Sequence, residues 1–279
     1  MPITKATTNV LDLNSDTLIN GVTVGKGGGN LSQNTALGVN ALKINTSGNG
    51  NTAIGRDSLY NNSSGSNNVA VSVNALFSNT TGSQNTAIGY LAMQSGNYTN
   101  SSCVGFGSQV TGNNQVQLGN SSTTTYAYGT VQDRSDNRDK ADIRDTTLGL
   151  DFIKELRPVD FKWDYREDYR EAPPILPNED ASDEEKQQYK EAKEKWLEDV
   201  KLSNITHDGT HKRNRFHHGL IAQDIKSVIE KTGIDFGGFQ DHSINGGDEV
   251  MTVGYIELIA PLIKAVQELS AKVEALESK

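Results

Sequence analysis

Apolar side chains recur along this chain in two different rhythms. In the first half, short apolar runs interrupt a background of Asn, Ser, Thr and Gly at a fixed interval. Asn34-Thr35-Ala36-Leu37-Gly38, Asn51-Thr52-Ala53-Ile54-Gly55, Asn68-Val69-Ala70-Val71-Ser72 and Asn85-Thr86-Ala87-Ile88-Gly89 begin 17 residues apart. A second pair follows in each unit (Ala41-Leu42, Ser58-Leu59, Ala75-Leu76, Ala92-Met93), and Gly48, Gly65 and Gly82 recur as turn residues. Each unit therefore predicts a short strand, a brief helical or looped step and a Gly turn. Looser copies at Val22-Thr23-Val24-Gly25, Cys103-Val104-Gly105 and Val116-Gln117-Leu118-Gly119 flank the array at shorter offsets, as terminal turns of a repeat do.

The second half changes period. Leu148, Phe152 and Leu156 lie four apart and predict a helix over 142–156, ended by Pro158; Val159 to Trp163 alternates as a strand. Residues 166–215 form a hydrophilic excursion with a charged helix from about Ser182, its N-cap, to about Leu202. That helix reads either as a solvated surface or as an arm gripping a neighbouring subunit. Ile221, Ile225, Val228 and Ile229 mark the buried stripe of a following helix. Over 255–279, Ile259, Leu262, Val266, Leu269, Val273 and Leu276 are spaced 3, 4, 3, 4, 3, the a/d pattern of a coiled coil.

Charge divides at the same place as period. Five basic residues (Lys5, Lys26, Lys43, Arg56, Arg134) and four acidic ones (Asp12, Asp16, Asp57, Asp133) precede Ser135, out of 26 and 35 in the chain, so the part before it carries +1 and all of the net negative charge lies from Ser135 onward. An acidic chain without a long basic patch argues against nucleic acid, whose affinity rests on phosphate neutralisation. The first 134 residues carry too little apolar side chain for a monomeric core, so that half is either disordered or gains its core from other chains; disorder needs no fixed period, so the expectation is that three chains share a core about the repeat axis. The coiled coil agrees with three.

Several motifs fail on inspection. Gly25-Lys26-Gly27-Gly28-Gly29 leads into Asn30-Leu31 rather than into the Lys-Ser/Thr of a phosphate loop. Asp12 to Asp16 begins like a calcium loop, but Thr17 and Thr23 stand where Gly and Glu are needed. His207, His211, His217 and His218 invite zinc, yet Gly209 interrupts any shared helix and no acidic or cysteine ligand has a fitting spacing. No metal and no cofactor is expected. Cys103 is the single cysteine, which excludes an intrachain disulfide. No apolar run approaches a membrane span, and Met1-Pro2-Ile3-Thr4-Lys5 opens no signal peptide, so folding in a cytoplasm is expected.

The repeats over roughly 20–120 resemble those of phage tail fibres and of trimeric bacterial adhesin heads, where Asn-Thr-Ala-Ile-Gly motifs line a three-chain β-roll or prism. The region from about Asp133 to Lys279 resembles the intramolecular chaperone and auto-processing domain of phage tailspikes, tail fibres and neck appendages. It does so through Ser135-Asp136 with Arg138 and Lys140, Leu150-Asp151, Leu156-Arg157-Pro158, Phe161 with Trp163, the Gly219 to Asp224 block and the Tyr255 to Leu269 helix. The resemblance implies a mixed architecture: a cap or attachment segment at 1–30, a trimeric β shaft at 31–134, and an α+β chaperone at 135–279 with a variable arm at 166–215 and a coiled coil at 255–279. It implies a homotrimeric virion tail fibre, folded in the host cytoplasm, attached to the tail or baseplate and binding a cell-surface receptor, expected to be a glycan. It also implies one self-cleavage at Arg134-Ser135, with Ser135 as nucleophile, Lys140 as its partner and Asp136 and Arg138 in support. The alternative is a fibre or adhesin whose trimerisation domain stays attached.

The chemistry sets conditions of its own. Lys140 can deprotonate Ser135 only as a neutral amine, which burial at a trimer interface and the charge of Arg138 would favour and which Asp136 and Asp139 would oppose. Residues five apart do not share a helix or strand face, so either a bend joins them or the lysine comes from a neighbouring chain. The competing reading makes Ser135-Asp136 an N-cap and Lys140 a surface charge.

Overall fold

The 17-residue interval becomes a stacking distance. In the computed structural model, which describes residues 16–19, 21–128, 131, 135–172, 174–175, 177, 181–245 and 249–278, each repeat contributes one short strand to a β-solenoid of about five turns. Strands β1 (Thr17–Ile19) and β2 (Val22–Gly25) form an antiparallel hairpin, and β2 pairs antiparallel with β3 (Thr35–Gly38). From there β4 (Thr52–Ile54), β5 (Val69–Val71), β6 (Thr86–Ile88), β7 (Ser102–Val104) and β8 (Val116–Leu118) add in parallel, in chain order. Ala36 faces Ala53, Ala70, Ala87 and Cys103 in register.

The repeats have their own interior within one chain, contrary to the expectation that they need other chains for a core. Ala36, Ala53, Ala70, Ala87 and Cys103 form one inward column, and Leu42, Leu59, Leu76 and Met93 a second, none more than 1% exposed. Burial pushes the Cys103 thiol up to about 11. The residues after each strand turn tightly rather than helically: Leu42, Leu59, Leu76 and Met93 have φ between 46° and 53°. A left-handed Leu costs about 1–2 kcal/mol, and full burial of its side chain returns about 1.5–3 kcal/mol. The turn is therefore tolerable because its side chain fills the interior.

Asparagine supplies the rest of that interior. The backbone N–H groups of Asn51, Asn68, Asn85 and Ser101 donate to the Oδ1 of Asn34, Asn51, Asn68 and Asn85 at 2.8–3.0 Å. A second ladder runs from Asn79 through Asn62 to Asn45, each Nδ2 donating to the next Oδ1 at 2.9 Å. The two meet at the turn glycines, where the Gly65 carbonyl accepts from Asn51 at 2.8 Å and from Asn62 at 2.9 Å. A Cβ on Gly65 would lie 2.3 Å from the Gly82 carbonyl, so this close stacking excludes any side chain. At the hairpin end, Asp16 accepts from the backbone N–H groups of Lys26 (2.6 Å) and Gly27 (2.8 Å). The rest of the calcium-like segment, Asp12 to Ser15, lies outside the described residues.

The described residues fall into two compact units. The first joins the solenoid, up to Thr125, with Pro174–Glu198; the second comprises Tyr126–Pro173, Asp199–Ile244 and Glu249–Lys279. In the first, helix α2 (Asp183–Asp199) is capped by a reciprocal pair: Glu185 N–H donates to Ser182 Oγ at 3.2 Å and Ser182 N–H to Glu185 Oε2 at 2.8 Å. The helix ends at Asp199 rather than near Leu202.

In the second unit, α1 (Leu150–Glu155) is shorter than the spacing predicts. Asp142 sits in the left-handed region and Gly149 is non-helical, so Leu148 reaches the core from a loop. Strand β9 (Val159–Phe161) stops before Trp163 and pairs antiparallel with β10 (His217–Gly219); helix α3 (Ala222–Thr232) follows on the predicted stripe. A hairpin of β11 (Phe239–Asp241) and β12 (Met251–Val253) precedes α4 (Ile259–Glu277). Phe152, Ile225, Val228, Phe236 and Leu258 form the core. No side chain within α1 caps it; Glu268 of α4 accepts from Leu150 N–H at 2.8 Å instead. The a/d row of α4 is exposed from Ile259 to Leu276, with an apolar groove at Ile259, Leu262, Ile263 and Val266. No described helix is long and apolar enough to cross a membrane.

The ladder is directly testable. Asn68→Ala strands the Asn85 N–H and one bond to the Gly82 carbonyl, and should cost about 2–3 kcal/mol in urea unfolding. Thr46→Ala removes a single exposed bond to Ser63 and should cost less than about 1 kcal/mol.

Candidate active site

One tight turn brings the predicted pair together. Asn137–Asp139 is a single 3-10 turn; Asp136 caps it by accepting from Arg138 N–H at 2.9 Å, and Lys140 N–H closes onto the Asn137 carbonyl at 3.2 Å. The chain reverses within five residues, and Lys140 Nζ donates to Ser135 Oγ at 2.7 Å. The bend therefore joins the two within one chain. The Arg138 guanidinium grips Asp136, Nε at 3.0 Å and Nη2 at 2.6 Å. That hydrogen-bonded guanidinium, with the Arg138 N–H second, holds the Asp136 carboxyl below its usual range. Asp136 and Arg138 thus shape the turn, and the N-cap belongs to Asp136.

Ser135 and Lys140 are both exposed. Arg134, the other half of the predicted cleavage site, lies outside the described residues, as does Asp133. Farther along the unit, two separate pieces of sequence pattern meet: Arg157 Nη2 lies 2.6 Å from Asp224 Oδ2, joining the segment after α1 to the first turn of α3. The histidines take structural partners. His207 Nδ1 lies 3.1 Å from Asp164, His218 Nδ1 2.6 Å from Asp160, His211 stands edge-on to Tyr169 and His217 stacks near Phe161. Among the described residues no group of His, Cys, Asp and Glu is arranged to hold a metal.

One cluster escaped the sequence altogether. Helix α2 is not merely a solvated surface: Trp196 is buried, and Lys193 reaches the solenoid, donating to Asn61 Oδ1 and lying 5.7 Å from the Tyr60 ring centroid and 5.4 Å from that of Phe77. Burial holds the Lys193 amine below its ordinary value. Tyr189, Lys193, Trp196 and Val200, spaced 4, 3, 4, were the available signal, masked by the surrounding charge.

A peptidase family described as chaperone of endosialidase matches residues 135–234, a span that starts at Ser135 itself. The match supports a phage intramolecular chaperone domain in the C-terminal half. No curated protein and no solved structure matches the chain.

The turn's response to acid has a definite sign. Because the Asp136 carboxyl is held low, its contribution is complete above the ordinary carboxylate value and is lost as pH falls through the lowered one. The Arg138 amide resonance should therefore move only at pH below the ordinary carboxylate range, and Asp136→Asn should remove that titration. An Arg138 amide that stays fixed on acidification would show that Asp136 does not cap the turn.

Proposed function

We propose that this chain is a phage tail fibre protein whose residues 135–279 drive trimerisation and folding of the shaft and then leave by one self-cleavage at Arg134-Ser135. The carrying observation is the 2.7 Å contact between Lys140 Nζ and Ser135 Oγ, made by a dedicated turn at the residue where the family match begins. In that contact lysine is the donor; as base it first loses its proton to solvent. Neutral Lys140 then takes the Ser135 hydroxyl proton while Oγ attacks the Arg134 carbonyl carbon. The C–N bond breaks, the proton passes to the Ser135 nitrogen, and an ester links Arg134 to the Ser135 side chain. Water opens that ester, leaving a carboxylate on Arg134 and a new N-terminal Ser135.

The exposure of both residues in the single chain explains why cleavage would wait for assembly, since burial against neighbouring chains favours the neutral amine. Two unpartnered apolar rows support a homotrimer. One is the a/d row of α4; the other runs outward along the solenoid strands through Leu37, Ile54, Ile88, Val104 and Leu118. The released shaft would bind a host surface receptor, proposed to be a glycan, with its N-terminal end on the tail or baseplate. The same exposure also favours a second reading, a fibre that trimerises but keeps its C-terminal domain.

Denaturing gels separate the two. Wild type should yield two fragments of about half length and Ser135→Ala only intact chain, while Lys140→Arg, which keeps charge but supplies no base, should slow cleavage at least about 100-fold. Intact wild-type chain supports the retained-domain reading, and fragments from Ser135→Ala exclude Ser135 as nucleophile. Replacing Leu262 and Val266 together by Asp should reduce the sedimenting species from three chains to one; an unchanged mass would remove the coiled coil from the assembly.

A further inference from the structure

Tyr60 and Phe77 occupy equivalent positions in successive solenoid turns, and their rings stack with centroids 5.6 Å apart and planes inclined by 24°. Asn61 lies beside them; its Nδ2 is committed to the Phe77 carbonyl at 2.7 Å, which leaves Oδ1 as an acceptor at the edge of the rings. A cation already sits there. Lys193 of α2 donates to that oxygen with its ammonium within 6 Å of both ring centroids. Aromatic faces joined to an oxygen acceptor form a recognition site for an organic ammonium, because the ring quadrupoles attract the charge and the acceptor takes an N–H.

We propose that Tyr60, Phe77 and Asn61 form a binding site on the shaft for a primary alkylammonium group, and that Lys193 occupies it as an internal stand-in until the C-terminal domain departs. The unmasking rests on the cleavage proposed above; the chemistry of the site does not. The stand-in is held in a way suited to release. The Lys193 ammonium gives up water to sit there, and the hydroxyl of Tyr189, one helical turn before it on α2, is buried with no hydrogen-bond partner among the described residues. Burial and the nearby Tyr60 and Asp57 push that phenol up to about 12. Each group would be better solvated in a departed arm. The recognising side chains stay on the fragment before Ser135, whereas Lys193 leaves with the other. An external ligand would bring the same group, either as a deacetylated amino sugar or as a lysine side chain.

Two experiments on the full chain test the site and its masking separately. In Lys193→Ala, butylammonium should raise the unfolding midpoint of the solenoid, with neutral butanol about tenfold weaker; equal effects of the two would overturn the ammonium site whether or not the chain cleaves. Processed wild-type chain should then bind a glucosamine oligosaccharide or an Nα-acetyl-lysine amide with its ε-ammonium free, with the stronger of the two identifying the source. It should not bind the N-acetylated oligosaccharide, and Ser135→Ala should bind none of them. Equal binding by Ser135→Ala and processed chain would overturn the masking. If Lys193→Ala does not fold, Phe77→Leu in processed chain replaces it, and undiminished ammonium binding there defeats the site. A wild type that is never cut refutes the release while the butylammonium comparison still decides the site.

Discussion

The solenoid depends on buried amide ladders repeating every 17 residues. Each Asn in the series Asn34, Asn51, Asn68 and Asn85 accepts from the backbone of the next turn and donates to a turn carbonyl, Tyr98 taking the place of glycine at the last step. A slip of one residue in any turn would leave several buried polar groups unpaired, at about 1–3 kcal/mol each. Polar groups thus fix register, while small Ala and a single Leu or Met per turn supply the apolar part. That arrangement lets an Asn- and Ser-rich chain enclose an interior despite its low apolar content. The second ladder ends at Asn79, whose Oδ1 has no partner among the described residues, because the position one repeat later is Gly96.

The same stacking positions features on the outside. Tyr60 lies over Phe77 because their turns are in register, and Tyr90 stacks with Phe106 farther along at 5.8 Å. A groove or patch on such a solenoid is accordingly a readout of correct folding. Beyond the repeats, the turn after Ser135 works by a local rule: an Asp accepts from the N–H two residues on and from the side chain of the same Arg, and the chain doubles back. The contact between Lys140 and Ser135 is made within a single chain, and both side chains are exposed there.

Much of this was legible in advance. The repeat period, the Ser182 cap, the α3 stripe and the exposed a/d row of α4 follow from spacing alone, because each reflects a periodic local geometry. The helix predicted over 142–156 is only Leu150–Glu155 in the structure: three apolar residues four apart also fit a loop that drops Leu148 into the core before a short helix whose N-terminus is capped by Glu268, more than a hundred residues away. No spacing rule could anticipate that cap. The interior of the solenoid is hidden from composition for a related reason, since Asn counts as polar yet is buried when its partners repeat in register.

Sequence by itself determined the period, the place where charge and chemistry change, and the pairing of Ser135 with Lys140 as residues of interest. Those properties are local or periodic, and neighbouring residues enforce them. Only the tertiary structure decided that the asparagines face inward, that Arg157 meets Asp224, and that Lys193 rests on Tyr60, Phe77 and Asn61. Each of these joins residues far apart in the chain, and such contacts are selected by the packing of whole elements, which no local pattern encodes.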